Sequence, residues 1–249
     1  MAKTYEALKK AEQESKLRPE EYNVFDIKHK SKITMPVSVQ IPFKIEEEYH
    51  RMKHKVAVAL PDIKKKALLF SCSSHGEGTT SIILGYATTI AKGNEKVLLV
   101  DANVRNPTLH DFLGVDKKKG FVELILGECS LKDVVKKTKI NNLALITSGI
   151  LHSNPFSLFE SAYLDTLIDQ MKDVADWVLF DSAPINTYID SIALSAKMDG
   201  VVMIVQAEKT RWEVAQTAKK RIEDGQGNIL GIILNRRKMY IPAWAYKLL

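Results

Sequence analysis

From Ala67 onward the chain alternates two patterns of hydrophobic and polar positions. Six short apolar runs, Ala67–Cys72, Val97–Val100, Leu143–Ile146, Trp177–Phe180, Val201–Val205 and Ile229–Leu234, carry Val, Ile, Leu or Phe without polar alternation. Such runs suit strands buried on both faces, as parallel sheets require. Between them the spacing predicts helices over Thr79–Lys92, Ser157–Lys172, Ser191–Lys197 and Trp212–Gly225. The expected fold class is therefore α/β, a three-layer, mostly parallel sheet with helices on both faces. In that architecture ligands bind at the carboxyl ends of the strands.

The chain ahead of Ala67 reads differently. Good helix formers from Thr4 place Tyr5, Leu8 and Ala11 on one face. Arg18-Pro19, Met35-Pro36 and Ile41-Pro42 then bias the chain away from helix. A helical pattern resumes over Glu46–Val58 and ends at Leu60-Pro61-Asp62. We expect an N-terminal helix and extended linker over 1–45, and one nucleotide-binding domain over 46–249.

Composition narrows the class. With 249 residues, 45% hydrophobic and 27% charged, collagen-like, coiled-coil and disordered chains are excluded, and a sizeable core can form. No apolar run reaches the roughly 18 residues that span a bilayer, and the start lacks the apolar stretch of a signal peptide, so a cytoplasmic protein is expected. Cys72 and Cys129 match no metal or disulfide spacing and read as packing residues, as do Trp177 and Trp212. The net charge of +6 sits at the ends: residues 1–66 hold 15 Lys/Arg against 10 Asp/Glu, residues 67–234 hold 17 against 20, and residues 235–249 hold four basic residues and no acid. That distribution suits a solvated arm, an acidic partner or an anionic membrane better than nucleic acid.

Chemistry concentrates just after the strands. The first runs into Ser73-Ser-His-Gly76-Glu77-Gly78-Thr79-Thr80-Ser81, where glycines and a helix N-terminus let amides approach a phosphate. A tight turn with threonine caps would read the same way in isolation. The second strand ends in Asp101-Ala-Asn103-Val-Arg105-Asn-Pro107, and another ends in Asp181-Ser-Ala-Pro184. Two carboxylates at adjacent strand ends beside a Gly-rich loop have the composition of a Mg²⁺–phosphate site. His75 reads as an exposed loop histidine, and Lys64-Lys-Lys66 and Lys117-Lys-Lys119 as solvated turns.

These segments resemble the Walker A, A′ and B motifs of the bacterial tyrosine kinases of exopolysaccharide synthesis, a family similar in fold to the partition and division-site ATPases of the deviant P-loop class. The likeness extends to Tyr5-Glu-Ala-Leu-Lys-Lys-Ala-Glu, Glu48-x-x-Arg51, Asn154-Pro155, Lys209-Thr210-Arg211 and Leu234-Asn235-Arg236. It implies a P-loop NTPase that binds ATP or ADP with Mg²⁺. Gly76, Glu77, Gly78, Thr79, Thr80 and Ser81 would form the phosphate cradle, with Asn235 at the base. Thr80, Asp101 and Asp181 would hold the metal, and Asp101, Asn103 and Arg105 would stand in the catalytic positions. It also implies a partner, the cytoplasmic tail of a membrane polysaccharide co-polymerase, which would bring the chain to the inner membrane, and a homo-oligomeric ring.

Departures from the pattern weigh on activity. Thr79 stands where the family carries its phosphate-binding lysine, and Asn103 replaces the second acid of the A′ pair. His54 replaces the last Arg of the ring-assembly motif, and only Tyr240 and Tyr246 remain of a tyrosine-rich tail. A hydroxyl lacks the charge and reach of an ammonium. Arg105 could compensate or could simply form a loop salt bridge. Three readings follow: a kinase-like ATP-binding protein with weak or lost phosphoryl transfer, a non-catalytic scaffold, and a partitioning or positioning ATPase. The aromatic tail after Met239 reads as docking on its own domain before it reads as a membrane anchor.

Overall fold

The computed structural model describes residues 41–151 and 155–238. The N-terminal helix and linker predicted before residue 41, Asn154, and Tyr240 and Tyr246 with the rest of the tail lie outside the described residues. In chain order the elements are α1 (Phe43–Ala59), β1 (Lys66–Cys72), α2 (Thr79–Lys92), β2 (Val97–Asp101), α3 (Leu109–Leu113), α4 (Phe121–Ile125), α5 (Leu131–Val134) and β3 (Val135–Lys137). There follow β4 (Leu143–Ile146), α6 (Phe156–Phe159), α7 (Tyr163–Val174), β5 (Trp177–Asp181), α8 (Asp190–Ser195), β6 (Gly200–Gln206), α9 (Trp212–Asp224) and β7 (Ile229–Asn235).

The strands form one sheet in the order β3-β4-β2-β5-β1-β6-β7. All neighbours run parallel except β3, which pairs antiparallel with β4 at one edge. The six predicted strands are present, and β1, β2, β4 and β5 are buried along their whole lengths. Alternate side chains feed two cores. Ala67 and Leu69 of β1 face a cluster with Phe121, Leu167, Phe180 and Ile222. Leu68 and Phe70 face a second cluster with Tyr49, Ile83, Tyr86 and Ile90. Helices α1 to α3 therefore cover one face and α4 to α9 the other, completing the three layers.

Five features differ from the sequence reading. The stretch Ser157–Lys172 is two helices, α6 and α7, separated by residues 160–162. Strand β3 was not predicted, because Val135-Lys-Lys is too short and polar to show a strand period. Lys66 is no turn residue: it opens β1 at 8% exposure, its ammonium 5.3 Å from the Trp177 ring and bonded to the Ile63 carbonyl. Trp212, expected to pack, is 68% exposed at the first position of α9, ahead of the residues Ala215, Ala218 and Ile222 by which that helix is buried. Helix α1 starts at Phe43, so the expected division after residue 45 falls within its first turn.

Candidate functional site

Strands β2, β5 and β1 are neighbours, so the three polar segments at their carboxyl ends share one rim. The chain leaves β1 at Cys72 and turns through residues 73–78 into α2. Gly76 and Gly78 adopt φ of 83° and 94°, which other residues resist, and Gly78 is the N-cap residue of α2. Among the described residues, the amides of Gly76 to Ser81 donate to no protein acceptor. That leaves a row of free N–H groups at a helix N-terminus, the arrangement that binds phosphate.

Asp101 and Asp181 face one another as register partners on β2 and β5, at 0% and 1% exposure. Thr80 Oγ1 donates to Asp181 Oδ2 at 2.7 Å, and Thr108 Oγ1 lies 3.3 Å from Thr80 Oγ1. The Leu109 amide donates to Asp101 Oδ2 at 3.1 Å. The Oδ1 atom of each carboxylate is buried without a partner. Burial pushes the Asp181 carboxyl up to about 7, against the bond from Thr80. Burial, and then the neighbouring Asp181 charge, raise Asp101 well above the ordinary carboxylate range.

An unsatisfied buried acceptor costs about 1–3 kcal/mol, and more when charged. Two such oxygens on adjacent strands, beside a hydroxyl and free amides, fit a hard divalent cation. Mg²⁺ suits this set because it takes one or two carboxylates and fills its remaining positions with water and phosphate oxygens. No group of three or more His, Cys, Asp or Glu gathers as a metal set anywhere among the described residues, so the set here is two carboxylates and a hydroxyl.

The remaining predicted residues are placed as follows. Thr79 is buried, and its hydroxyl faces the Cys72 thiol without completing a hydrogen bond. Cys72 is itself buried, and burial pushes its thiol up to about 12. Ser81 is exposed on the first turn of α2. Glu77, at 2% exposure, turns its carboxylate inward to Ser73, Ser74 and Thr210. Asn103 closes a local turn by accepting from the Asn106 amide at 3.2 Å. Arg105 is held by Asp190, with Nε to Oδ2 at 2.5 Å and Nη2 to Oδ1 at 3.3 Å, and lies 4.5 Å from the Tyr188 ring. The exposed His75 packs nearly perpendicular to the Tyr188 ring, with ring centroids 5.8 Å apart. Asn235 donates from Nδ2 to the Glu77 carbonyl at 2.8 Å.

Sequence reasoning missed Thr108, Asp190 and Tyr188, and did not single out Thr210 beyond its place in a shared motif. Asp190 and Tyr188 had one readable signal, their position shortly after the Asp181 strand end. Thr210 touches Glu77 across 133 positions of sequence, and no local pattern announces such a contact.

A family model described as an AAA domain matches residues 72–228, from the end of β1 to the residue before β7. The chain belongs to the AAA domain family. This AAA domain protein is 28% identical over 193 residues to the tyrosine-protein kinase YwqD of Bacillus subtilis, covering 78% of its own length and 81% of YwqD. It is similar in structure to the kinase domain of the Escherichia coli tyrosine kinase ETK, with a TM-score of 0.75 at 22% identity over 85% of this chain and 91% of that one. The septum site-determining protein MinD of Pyrococcus horikoshii, solved with Mg-ADP, is similar with a TM-score of 0.59 at 19% identity over 74% and 76% of the two chains. The fold is thus that of the P-loop NTPases.

Proposed function

We propose that this protein is a tyrosine-kinase-like, ATP-binding member of an exopolysaccharide or capsule system, with weak or lost phosphoryl transfer. The observation that carries nucleotide binding is the pair of buried carboxylates, each with an unpartnered Oδ1, beside Thr80 and a row of free amides. Residues 46–249 would form the nucleotide unit, with 1–45 as an arm. The amides of Gly76 to Ser81 would bind the phosphates, and Thr80, Asp101 and Asp181 would hold Mg²⁺. The metal would supply positive charge to the phosphate oxygens.

Rapid turnover is not expected from these residues. Loss of a lysine contact at position 79 weakens binding by about 1.5–3 kcal/mol, roughly 10- to 150-fold. Phosphoryl transfer depends on positioned charge, so the loss in rate is on the order of 10²–10³. Asn103 is a neutral amide engaged in its own turn and is a poor proton acceptor. Arg105 would have to leave Asp190 to reach a phosphate.

A second reading, a scaffold without catalysis, draws on the same Thr79 and Asn103. In either case the partner would be the cytoplasmic tail of a membrane polysaccharide co-polymerase, and the chain would sit at the inner membrane through it. The kinase-like reading stands ahead of a positioning ATPase because the likeness to ETK exceeds that to MinD, 0.75 against 0.59 in TM-score. Calorimetric titration with Mg·ADP and Mg·ATP tests the proposal. Native protein should bind in the micromolar range or weaker, and Thr79→Lys should bind at least tenfold tighter. No detectable binding by the native protein overturns the nucleotide reading.

A further inference from the structure

Glu77 presents a physical puzzle. An anion-binding loop gains from positive potential, yet this one lacks its lysine and carries a buried carboxylate between its two glycines. The carboxylate points away from the free amides. Its Oε2 accepts from the Ser73 amide at 2.7 Å and the Ser74 amide at 3.1 Å, and its Oε1 accepts from Ser73 Oγ at 2.7 Å and from Thr210 Oγ1. Four donors thus satisfy its two oxygens, three from the turn itself and one from Thr210.

Two of the loop's fastenings come from a single corner of the sheet. Gln206 and Asn235 are register partners at the ends of β6 and β7, and the Ala207 amide donates to the Asn235 carbonyl at 2.9 Å. From that corner Thr210, whose oxygen also accepts from the Gln206 amide at 3.2 Å, reaches the Glu77 carboxylate. Asn235 Nδ2 reaches the Glu77 carbonyl, while its Oδ1 accepts from the Arg236 amide at 2.8 Å. The same Nδ2 stands 2.4 Å from the place a Cβ would occupy on Gly78, so only glycine lets Asn235 lie against the loop.

We infer that Glu77, Thr210 and Asn235 form a clamp that holds the phosphate loop in its anion-binding shape before any ligand arrives. Glu77 and Asn235 are then positioning residues, in place of direct contacts to phosphate and base. The clamp rests on the nucleotide reading above, and it explains how a loop without a lysine binds phosphate at all. The amides are preorganised, so binding does not have to order them.

The test uses the full chain and the variants Thr210→Val and Thr210→Ser. Hydrogen exchange at the Ser73 and Ser74 amides, without ligand, reports whether the clamp is closed. Titration with Mg·ADP and with Mg·pyrophosphate reports what closure does. Thr210→Val should speed exchange at both amides about tenfold and weaken both ligands about tenfold, with the thermal midpoint lowered by about 3–6 °C. Thr210→Ser should restore the native values. Unchanged exchange in Thr210→Val overturns the clamp, and so does faster exchange with undiminished affinity. A native protein that binds neither ligand ends the nucleotide reading instead, and the clamp is then decided by the exchange at Ser73 and Ser74.

Discussion

Asp101 and Asp181 are forced together by strand register, and their chemistry follows from that proximity. Neither is fully satisfied by protein, and burial raises both carboxyls, Asp181 to about 7. In an unfolded chain an aspartate titrates near 3.9. Without a divalent cation the folded protein therefore holds more protons than the unfolded chain between about pH 4 and 7. The pair's contribution to stability is greatest below that window, falls as pH rises through it, and is lowest above it. Mg²⁺ held by the pair, as proposed above, would reverse the effect by favouring both ionised forms. Asp181→Asn, which keeps the shape without the charge, should raise the thermal midpoint at pH 7.5 in chelator by a few degrees, at about 2–4 °C per kcal/mol relieved. At pH 5 the gain should shrink. Mg²⁺ should stabilise the native protein and have little effect on the variant. Thermal unfolding at two pH values, with and without Mg²⁺, checks all three, and an equal gain at both pH values would show that the Asp181 charge is not the cause. Both carboxylates were legible in the sequence because each closes an apolar run. Glu77 was legible only as a loop residue, since of its four donors Thr210 is brought up by tertiary folding and the Ser73 and Ser74 donors have no sequence signature of their own.

Elements were legible in proportion to how much of a period they contain. Helix α2 matches its expected span, Thr79–Lys92, because fourteen residues with a glycine at each end leave little ambiguity. The one-turn helices α3, α4 and α5 went unseen, as four or five residues cannot display a 3.6 period. Packing between elements was less legible still. Gly85, inside α2, is a poor helix former, yet a Cβ there would stand 2.4 Å from the Tyr49 hydroxyl and 2.7 Å from two ring atoms. Tyr49 of α1 is thus laid against the backbone of α2 and packs beside Tyr86 with ring centroids 6.3 Å apart. Gly85→Ala gains about 1 kcal/mol in helix propensity and incurs about 1–3 kcal/mol of overpacking. Displacing a whole ring puts the second figure at its upper end. The midpoint should fall by about 2–8 °C. In a Tyr49→Ala background the clash is gone, and the same substitution should stabilise the protein. A substitution that destabilises equally in both backgrounds would mean that Tyr49 is not what the glycine accommodates.

At the scale of the whole molecule, the sheet is the one structure that every functional group shares. The glycine turn proposed to bind phosphate, with Glu77 in it, follows β1, the two carboxylates proposed to hold a metal end β2 and β5, and Thr210 and Asn235 respectively follow β6 and end β7. Both cores are also anchored in it, since successive residues of one strand point to opposite clusters. Phe180 of β5 faces one core, with its ring 5.8 Å from that of Phe121, while Trp177 of the same strand faces the other core beside Tyr86. Damage on one face should therefore reach the opposite face through the strand. Phe180→Ala removes a fully buried ring and costs about 3–5 kcal/mol, a fall of roughly 6–20 °C in midpoint for a chain of this size. Followed in a Trp212→Phe, Trp244→Phe background, which leaves Trp177 as the one tryptophan of the chain, fluorescence then reports Trp177 on the face that was not mutated, and far-ultraviolet dichroism reports the helices on both. The two transitions should coincide and shift together. If the dichroism fell in two steps while the Trp177 transition stayed at its native temperature, the two cores would be separate cooperative units. The rim could then not be regarded as one preassembled site, because its carboxylates and its clamp would melt independently.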